Sequence, residues 1–352
     1  MFDSCMWMYM REERNLLIQL LEKHNVKENI ELLKDVQAFY FVAHGSSYNA
    51  CNTMASIISE YAKVRCYVYT PSGFRHNRMS FSLEDKPTTA VIGISQTGTS
   101  RGVLEALDSI DGYKMITITN EKNSPIDRIG DIHYYLQIGN EDSNAKTKGY
   151  SATLLILYLF ALELGFVKGY VSSNKKDDIY KDIKRELLQL NEVIDRTIQW
   201  CNKHQYGKGM SNVYVVGNGI HFASAMEGQL KLMETMCIPT MFSDIVEFSH
   251  GMHRSLNTES YVILLNAKVD TEMMIRTMDY CKDKNIHVLM INGEEGIPDD
   301  NVINVGKYPY TLSVFSIIAC IQAISAYVPE INGMDPNRNA NDDYTRYMVT
   351  RV

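Results

Sequence analysis

Apolar and polar positions change their period twice along this chain. From residue 11 to 36 they recur at helical spacing, with Leu16, Leu17, Leu20 and Leu21 on one face and charges elsewhere, which predicts a packing helix. From Ala38 the pattern becomes short apolar strands alternating with helices: AFYFVAHG, a helix to Ala62, VRCYVYT, AVIGISQ, a helix from Ser100, KMITITN and IHYYLQI. Such alternation predicts a parallel sheet with helices on both faces. The run TLLILYLFALEL reads as a buried helix and SSNKKDDIYKDIKRELLQLNEVIDRTIQW as a connecting one. At NVYVVGNG the alternation restarts, passing through a helix to Met236, then SYVILLNA, another helix, IHVLMING and VINVG. The stretch from Thr311 to Val328 has the length of a membrane span, but Ser313, Ser316, Gln322 and Ser325 interrupt it and Pro329 ends it, so it reads as a buried helix.

The expected class is therefore α/β, with one architecture present twice. The boundaries are a helical segment over 1–37, a first sheet domain over 38–170, a connecting helix over 171–210, a second sheet domain over 211–334 and a tail over 335–352. Two domains suit a chain of 352 residues, which exceeds what one hydrophobic core usually organises. Duplication is read from layout, because direct identity is limited to a strand ending in Gly45 and one ending in Gly217, Asn218 and Gly219.

Charge and cysteine usage narrow the function. A formal charge of −7 removes the long-range attraction that nucleic acid or an anionic membrane would use, so neither is an expected partner and an anionic substrate needs a local site. The seven cysteines stand singly, without a C-x-x-C pair, which fits a reducing, cytoplasmic compartment. No basic stretch leads into an early apolar one, so no signal peptide is expected.

Ligands of open parallel sheets bind beyond the carboxyl ends of the strands, where helix N-termini present N–H groups. Two such places carry hydroxyls: HGSSYN, His44 to Asn49, after the first strand, and SQTGTSR, Ser95 to Arg101, after the third. Gly98 permits close backbone approach, and Ser95, Thr97 and Ser100 reach phosphate oxygens without a net charge. Ser and Thr are also ordinary helix caps, and Ser47 alone reads either way. Four hydroxyls and a glycine in the loop from Ser95 to Ser100, directly after a buried strand, point to a phosphate site. Neither the G-K-[ST] of a Walker loop nor G-x-G-x-x-G is present there. In the second half, Glu227, Lys231 and Glu234 share one helical face at i, i+4 and i+7. A solvated ion-paired face explains that spacing equally well. His250, before a glycine, reads equally as a structural histidine.

Six segments carry a resemblance: GSSYNA, ISQTGTS, NSPID (Asn123 to Asp127), EDSNAKTK (Glu141 to Lys148), EGQLKLME (Glu227 to Glu234) and VEFSHGM (Val246 to Met252). Together they resemble the SIS (sugar isomerase) domain proteins, in particular the tandem group with the isomerase half of glucosamine-6-phosphate synthase and the fructosamine-6-phosphate deglycases. The resemblance covers nearly the whole chain and implies two SIS domains, each a flavodoxin-like three-layer sandwich. It implies that the hydroxyls of Ser47, Ser95, Thr97 and Ser100 and the amide of Gln96 bind a sugar phosphate. Glu234 would move protons between the first two sugar carbons. His250 would assist ring opening from the neighbouring subunit, so a homodimer is implied. Gly45, Ser46, Ala145, Lys146, Lys231 and Arg346 are the further substrate contacts it points to. No cofactor and no metal is expected for this chemistry.

Departures from the family direct the choice among its activities. About 37 residues precede the first strand, too few for a glutaminase domain, and Phe2 rather than cysteine follows Met1. The tail DPNRNANDDYTRYM, Asp335 to Met348, lacks the lysine that would form an imine with fructose 6-phosphate. Glutamine-dependent synthesis is therefore not expected. An ending in Arg346 and Tyr347 looks more like the deglycases, which split phosphorylated Amadori compounds into glucose 6-phosphate and an amine. The alternatives are an aldose–ketose isomerase or amino-sugar phosphate deaminase, and a non-catalytic sugar-phosphate sensor. Met252 stands where the family has proline, which points to a different leaving group, such as an amino acid rather than ammonia.

Overall fold

The computed structural model describes residues 4–352; Phe2 lies outside them. The chain folds as two compact units, each assembled from separated stretches. One comprises Leu16–Asn140, Gly149–Lys181 and Asn341–Val352; the other comprises the residues up to Asn15, Glu141–Lys148 and Asp182–Ala340. Helix α1 (Cys5–Lys23) opens the described chain.

The first unit is built on five parallel strands, β1 (Ala38–Val42), β2 (Arg65–Tyr69), β3 (Thr89–Ile94), β4 (Lys114–Thr119) and β5 (Ile132–Tyr135), in the order β2-β1-β3-β4-β5. Helices α2 (Gly45–Ala62), α3 (Pro71–His76), α4 (Arg78–Phe81), α5 (Arg101–Asp108) and α6 (Lys148–Val167) connect and follow them. Every residue of β1 is buried. Ala38, Tyr40 and Val42 pack with Phe74, Phe81, Val103 and Leu107 of α3 to α5. Phe39 turns the other way, meeting Phe160 of α6 edge to face at 5.3 Å. Strands covered on both faces need apolar residues at every position, which is why they read as continuous runs.

After α7 (Ser173–His204), the second unit repeats the scheme with β6 (Asn212–Gly217), β7 (Thr240–Ser243), β8 (Ser260–Asn266), β9 (His287–Asn292) and β10 (Val302–Asn304). Its order is β10-β9-β8-β6-β7, which is the same 2-1-3-4-5 arrangement counted within the sheet. Helices α8 (Ile220–Met236), α9 (Ile245–His250), α10 (Thr271–Asp283) and α11 (Val314–Ile331) complete it. Tyr214, Val216, Val262 and Leu264 form a core with Phe248 of α9 and Met274 and Met278 of α10.

Two local expectations are corrected, and one element absent from the sequence reading is added. The helix read over 11–36 is α1 followed by a 3-10 turn at Ile30–Leu33. Asn25 interrupts it because its side-chain amide pairs with strand β5, donating to the His133 carbonyl at 3.0 Å and accepting the Tyr135 N–H at 3.4 Å. β7, a four-residue strand with only its end residues buried, gave no periodic signal. Pro329 lies inside α11 rather than ending it. The helix runs on to Asn332, whose side-chain amide donates to the Val328 and Gly207 carbonyls. Both α6 and α11 have the length and apolar composition of membrane spans, but 89% of each apolar window is buried inside the protein.

Candidate functional site

The order of the first sheet reverses between β1 and β3, so the chain leaves these neighbours toward different helices and opens a crevice beyond their carboxyl ends. At the first exit His44 is extended and Gly45, at φ +51°, starts α2. The Tyr48 N–H closes the first turn on the His44 carbonyl at 3.2 Å. The N–H groups of the preceding residues have no acceptor within the helix, and the positive end of its dipole faces the same way. Ser46 and Ser47 sit there, half-buried.

At the second exit the loop from Ser95 to Ser100 is held by its own backbone. The Gln96 carbonyl accepts the Asn120 N–H at 2.9 Å and the Thr119 hydroxyl at 3.3 Å, and the Gly98 carbonyl accepts the Ile126 N–H at 3.0 Å. Ser95 is buried, and its Oγ accepts the Ser100 N–H at 3.3 Å while its own O–H remains to donate. The Thr97 and Thr99 hydroxyls lie 2.9 Å apart. Gln96, Thr97, Thr99 and Ser100 are all half-buried, so the stitched backbone leaves each of them partly accessible. Gly98 is required by its setting: at φ +69°, a Cβ here would lie 2.0 Å from Ser124 Oγ.

One partner of this loop had no clear sequence signal. Residues 350–352 run antiparallel to it, with the Arg101 N–H on the Thr350 carbonyl at 3.0 Å and the Val352 N–H on the Thr99 carbonyl at 3.1 Å. Arg346, the tail arginine singled out from the sequence, lies exposed in the 3-10 turn Asp342–Arg346.

The matching crevice of the second sheet, between β6 and β8, is filled by the protein itself. The Ile220 N–H at the head of α8 donates to the Tyr310 hydroxyl at 2.9 Å. A Cβ on Gly219 would lie 2.0 Å from that oxygen. His221 is fully buried, bonded to Ser224 at 3.2 Å and Ser313 at 2.9 Å, and burial pushes its pKa down to about 3. The two sheets therefore share a topology and differ at their binding ends.

In the second unit α8 carries the acidic and basic cluster. Glu227 and Lys231 are fully buried, 2.7 Å apart, so this face of the helix is not a solvated one. The Lys231 ammonium also donates to the Lys146 carbonyl. Lys146 lies in a segment folded back on itself: its Nζ donates to the Glu141 carbonyl at 2.8 Å. Glu141 Oε1 accepts the Thr147 N–H and hydroxyl, each at 2.7 Å, and the Lys148 N–H at 3.0 Å, capping α6. Ala145 is fully buried beside them.

Glu234 follows Lys231 on α8 and is half-buried. Burial pushes its pKa up to about 7, opposed by the charge of Lys231 and reinforced by Glu227, with Lys146 again opposing. The end of α8 is fixed by Arg338, whose guanidinium donates to the Thr235 carbonyl at 2.6 Å and the Met236 carbonyl at 2.8 Å. A carboxylate that titrates near neutrality on a pinned helix is suited to taking a proton and returning it.

His250 is the last residue of α9 and is exposed. That short helix is set by Asp244, which accepts the Val246 and Glu247 N–H groups, both at 2.9 Å. Met252 packs with Leu256 against the core of the second unit, so an apolar anchor holds the turn where the family has proline. Among the described residues, no three or more His, Cys, Asp or Glu side chains gather in a metal-holding group.

The SIS domain family profile matches residues 32–163 and 209–298. A glutamine–fructose-6-phosphate aminotransferase [isomerizing] of Caldanaerobacter subterraneus subsp. tengcongensis is 27% identical over 330 residues, covering 90% of this chain and 53% of that protein. The chain spans about half the length of the curated relatives it matches. The C-terminal domain of glucosamine-fructose-6-phosphate aminotransferase from Francisella tularensis shares the fold, with a TM-score of 0.86 at 20% identity over 96% of this chain and 99% of that one. Glucosamine-6-phosphate deaminase from Thermotoga maritima does so with a TM-score of 0.75 at 20% identity, over 96% of this chain and 98% of that one.

Proposed function

The chain belongs to the SIS domain family, and from that premise we propose that it is a phosphosugar enzyme, a deglycase cleaving a fructosamine 6-phosphate to glucose 6-phosphate and an amine. The observation that carries this reading is Glu234, a half-buried carboxylate titrating near neutrality on a helix whose neighbouring charges are locked in a buried pair. The phosphate is held by the hydroxyls and N–H groups of the loop from Ser95 to Ser100 and by the head of α2. Gly45, Ser46 and Ser47 contribute there, and Gln96 contributes its amide.

The reaction balances on one carboxylate and one water. Glu234 takes the proton from C1 of the open-chain ketosamine while the proton of the substrate's own ammonium passes to the C2 oxygen, giving an enaminol, and then returns the first proton to C2. The C1–N bond is then an iminium, and water hydrolyses it to the aldehyde of glucose 6-phosphate and the protonated amine. His250, exposed at the end of α9, serves ring opening in the site of a second copy of the chain. Lys231 positions the segment around Ala145 and Lys146, and Arg346 contacts the substrate from the tail. A tail without a lysine suits cleavage rather than amine transfer.

A second reading, isomerisation of an aldose–ketose phosphate or deamination of an amino-sugar phosphate, uses the same proton transfer. The names of the isomerizing aminotransferase and the deaminase among the similar proteins favour it. One substrate panel separates the two. Glucose 6-phosphate should appear when the protein is incubated with 6-phosphofructosyl conjugates of amino acids. Ammonia from glucosamine 6-phosphate with inert conjugates would instead establish the second reading, and binding without any turnover would leave a sugar-phosphate sensor.

A further inference from the structure

We propose that Arg351 is a ligand of the bound phosphate, supplying from the tail the positive charge that the phosphate loop lacks. The loop from Ser95 to Ser100 contains hydroxyls, an amide and a glycine but no cation. The nearest one in sequence, Arg101, is engaged elsewhere: its Nε meets Glu105 Oε1 at 2.8 Å, and Arg75 holds the other oxygen of that carboxylate at 2.9 Å. A phosphate monoester near neutral pH carries close to two negative charges, which neutral donors satisfy only in part.

The register of the tail decides where its arginine lies. Ser100 and Arg351 stand directly opposite each other in an antiparallel bridge. The two hydrogen bonds that hold the bridge fall on the flanking residues, from Arg101 to Thr350 and from Val352 to Thr99. That is the non-hydrogen-bonded kind of pair, in which opposed side chains leave on the same face and approach most closely, with Cα atoms roughly 4.5 Å apart. Ser100 makes no side-chain capping bond to α5, so its hydroxyl is not spent on the helix. Arg351 is exposed, and the pairing sets its side chain on the same face as that hydroxyl. A guanidinium there is suited to bidentate contact with phosphate oxygens, which a lysine would make only as a point charge. The inference rests on the reading of the loop as a phosphate site and adds the one charged ligand to it.

Calorimetric titration of the full chain with glucose 6-phosphate and with glucose tests it, using the wild type, Arg351→Gln, Arg351→Lys and Ser100→Ala. Arg351→Gln should weaken glucose 6-phosphate binding by about tenfold to hundredfold, the range for losing a charged hydrogen-bond donor. Glucose binding should be unchanged, and Arg351→Lys should recover part of the loss. Wild-type affinity in Arg351→Gln overturns the role of Arg351 alone, provided that Ser100→Ala is impaired. Equal losses for glucose and its phosphate also overturn it, because they mark a merely structural role for the tail. If the wild type does not prefer glucose 6-phosphate to glucose, the phosphate reading of the loop fails and the role of Arg351 with it.

Discussion

A carboxylate on an open helix surface gives up its proton well below neutrality, whereas Glu234 keeps it to about pH 7 because water is partly excluded and Glu227 lies on the same face. A base must be ionised to act, so kcat/KM should rise through pH 7 on a limb that Glu234→Gln abolishes together with about a hundredfold to ten-thousandfold of the rate. Undiminished turnover in that variant would remove Glu234 from the proton transfer. The same shift has a stability consequence of the opposite sense. Between the ordinary carboxylate range and about pH 7 the folded state holds a proton that the unfolded state has released, so stability falls as pH rises through that window. Urea titrations at pH 5 and pH 8 should show a smaller loss for Glu234→Gln than for the wild type. At this scale the sequence displayed the spacing of Glu227, Lys231 and Glu234 but not its meaning. The spacing is the same on a wet face and on a buried one, and the distinction lies in a carbonyl at Lys146, far away in sequence.

At the scale of elements, strands buried on both faces were legible because they carry unbroken apolar runs, as in β1 and in Tyr261 to Leu265 of β8. Elements shaped by contacts were not. β7 is an edge strand whose existence depends on pairing with β6, and α1 stops where Asn25 finds the edge of β5. The loop from Ser95 to Ser100 lies between these cases: its hydroxyls and glycine are visible in sequence, while its rigidity comes from Thr119, Asn120 and Ile126. Gly98→Ala should accordingly cost about 1–3 kcal/mol in stability, since it places a Cβ at positive φ against Ser124. Thermal melts read the first effect. A parallel loss of glucose 6-phosphate affinity is expected, and retention of both would mean that the loop relaxes without its glycine.

At the scale of the whole molecule the chain is one topology used twice, with the binding end open at the first sheet and closed at the second by Tyr310, His221 and Ser313. If His250 works in the site of a partner, two inactive variants can repair each other. Mixing Glu234→Gln with His250→Ala under conditions of subunit exchange should restore about one quarter of wild-type activity, because half of the dimers are mixed and each mixed dimer has one intact site. A mixture that stays inactive although mixed dimers form would put both residues in the same subunit's site. The sequence by itself determined the α/β class, the repeated alternation, and the residue types of the phosphate loop and of α8, because these follow from local periodicity and composition. Only the tertiary structure decided that Glu227 and Lys231 are buried, that the second crevice is filled, and that residues 350–352 lie along the loop. Each of those depends on atoms brought together from positions far apart in the chain, where no local pattern records the meeting.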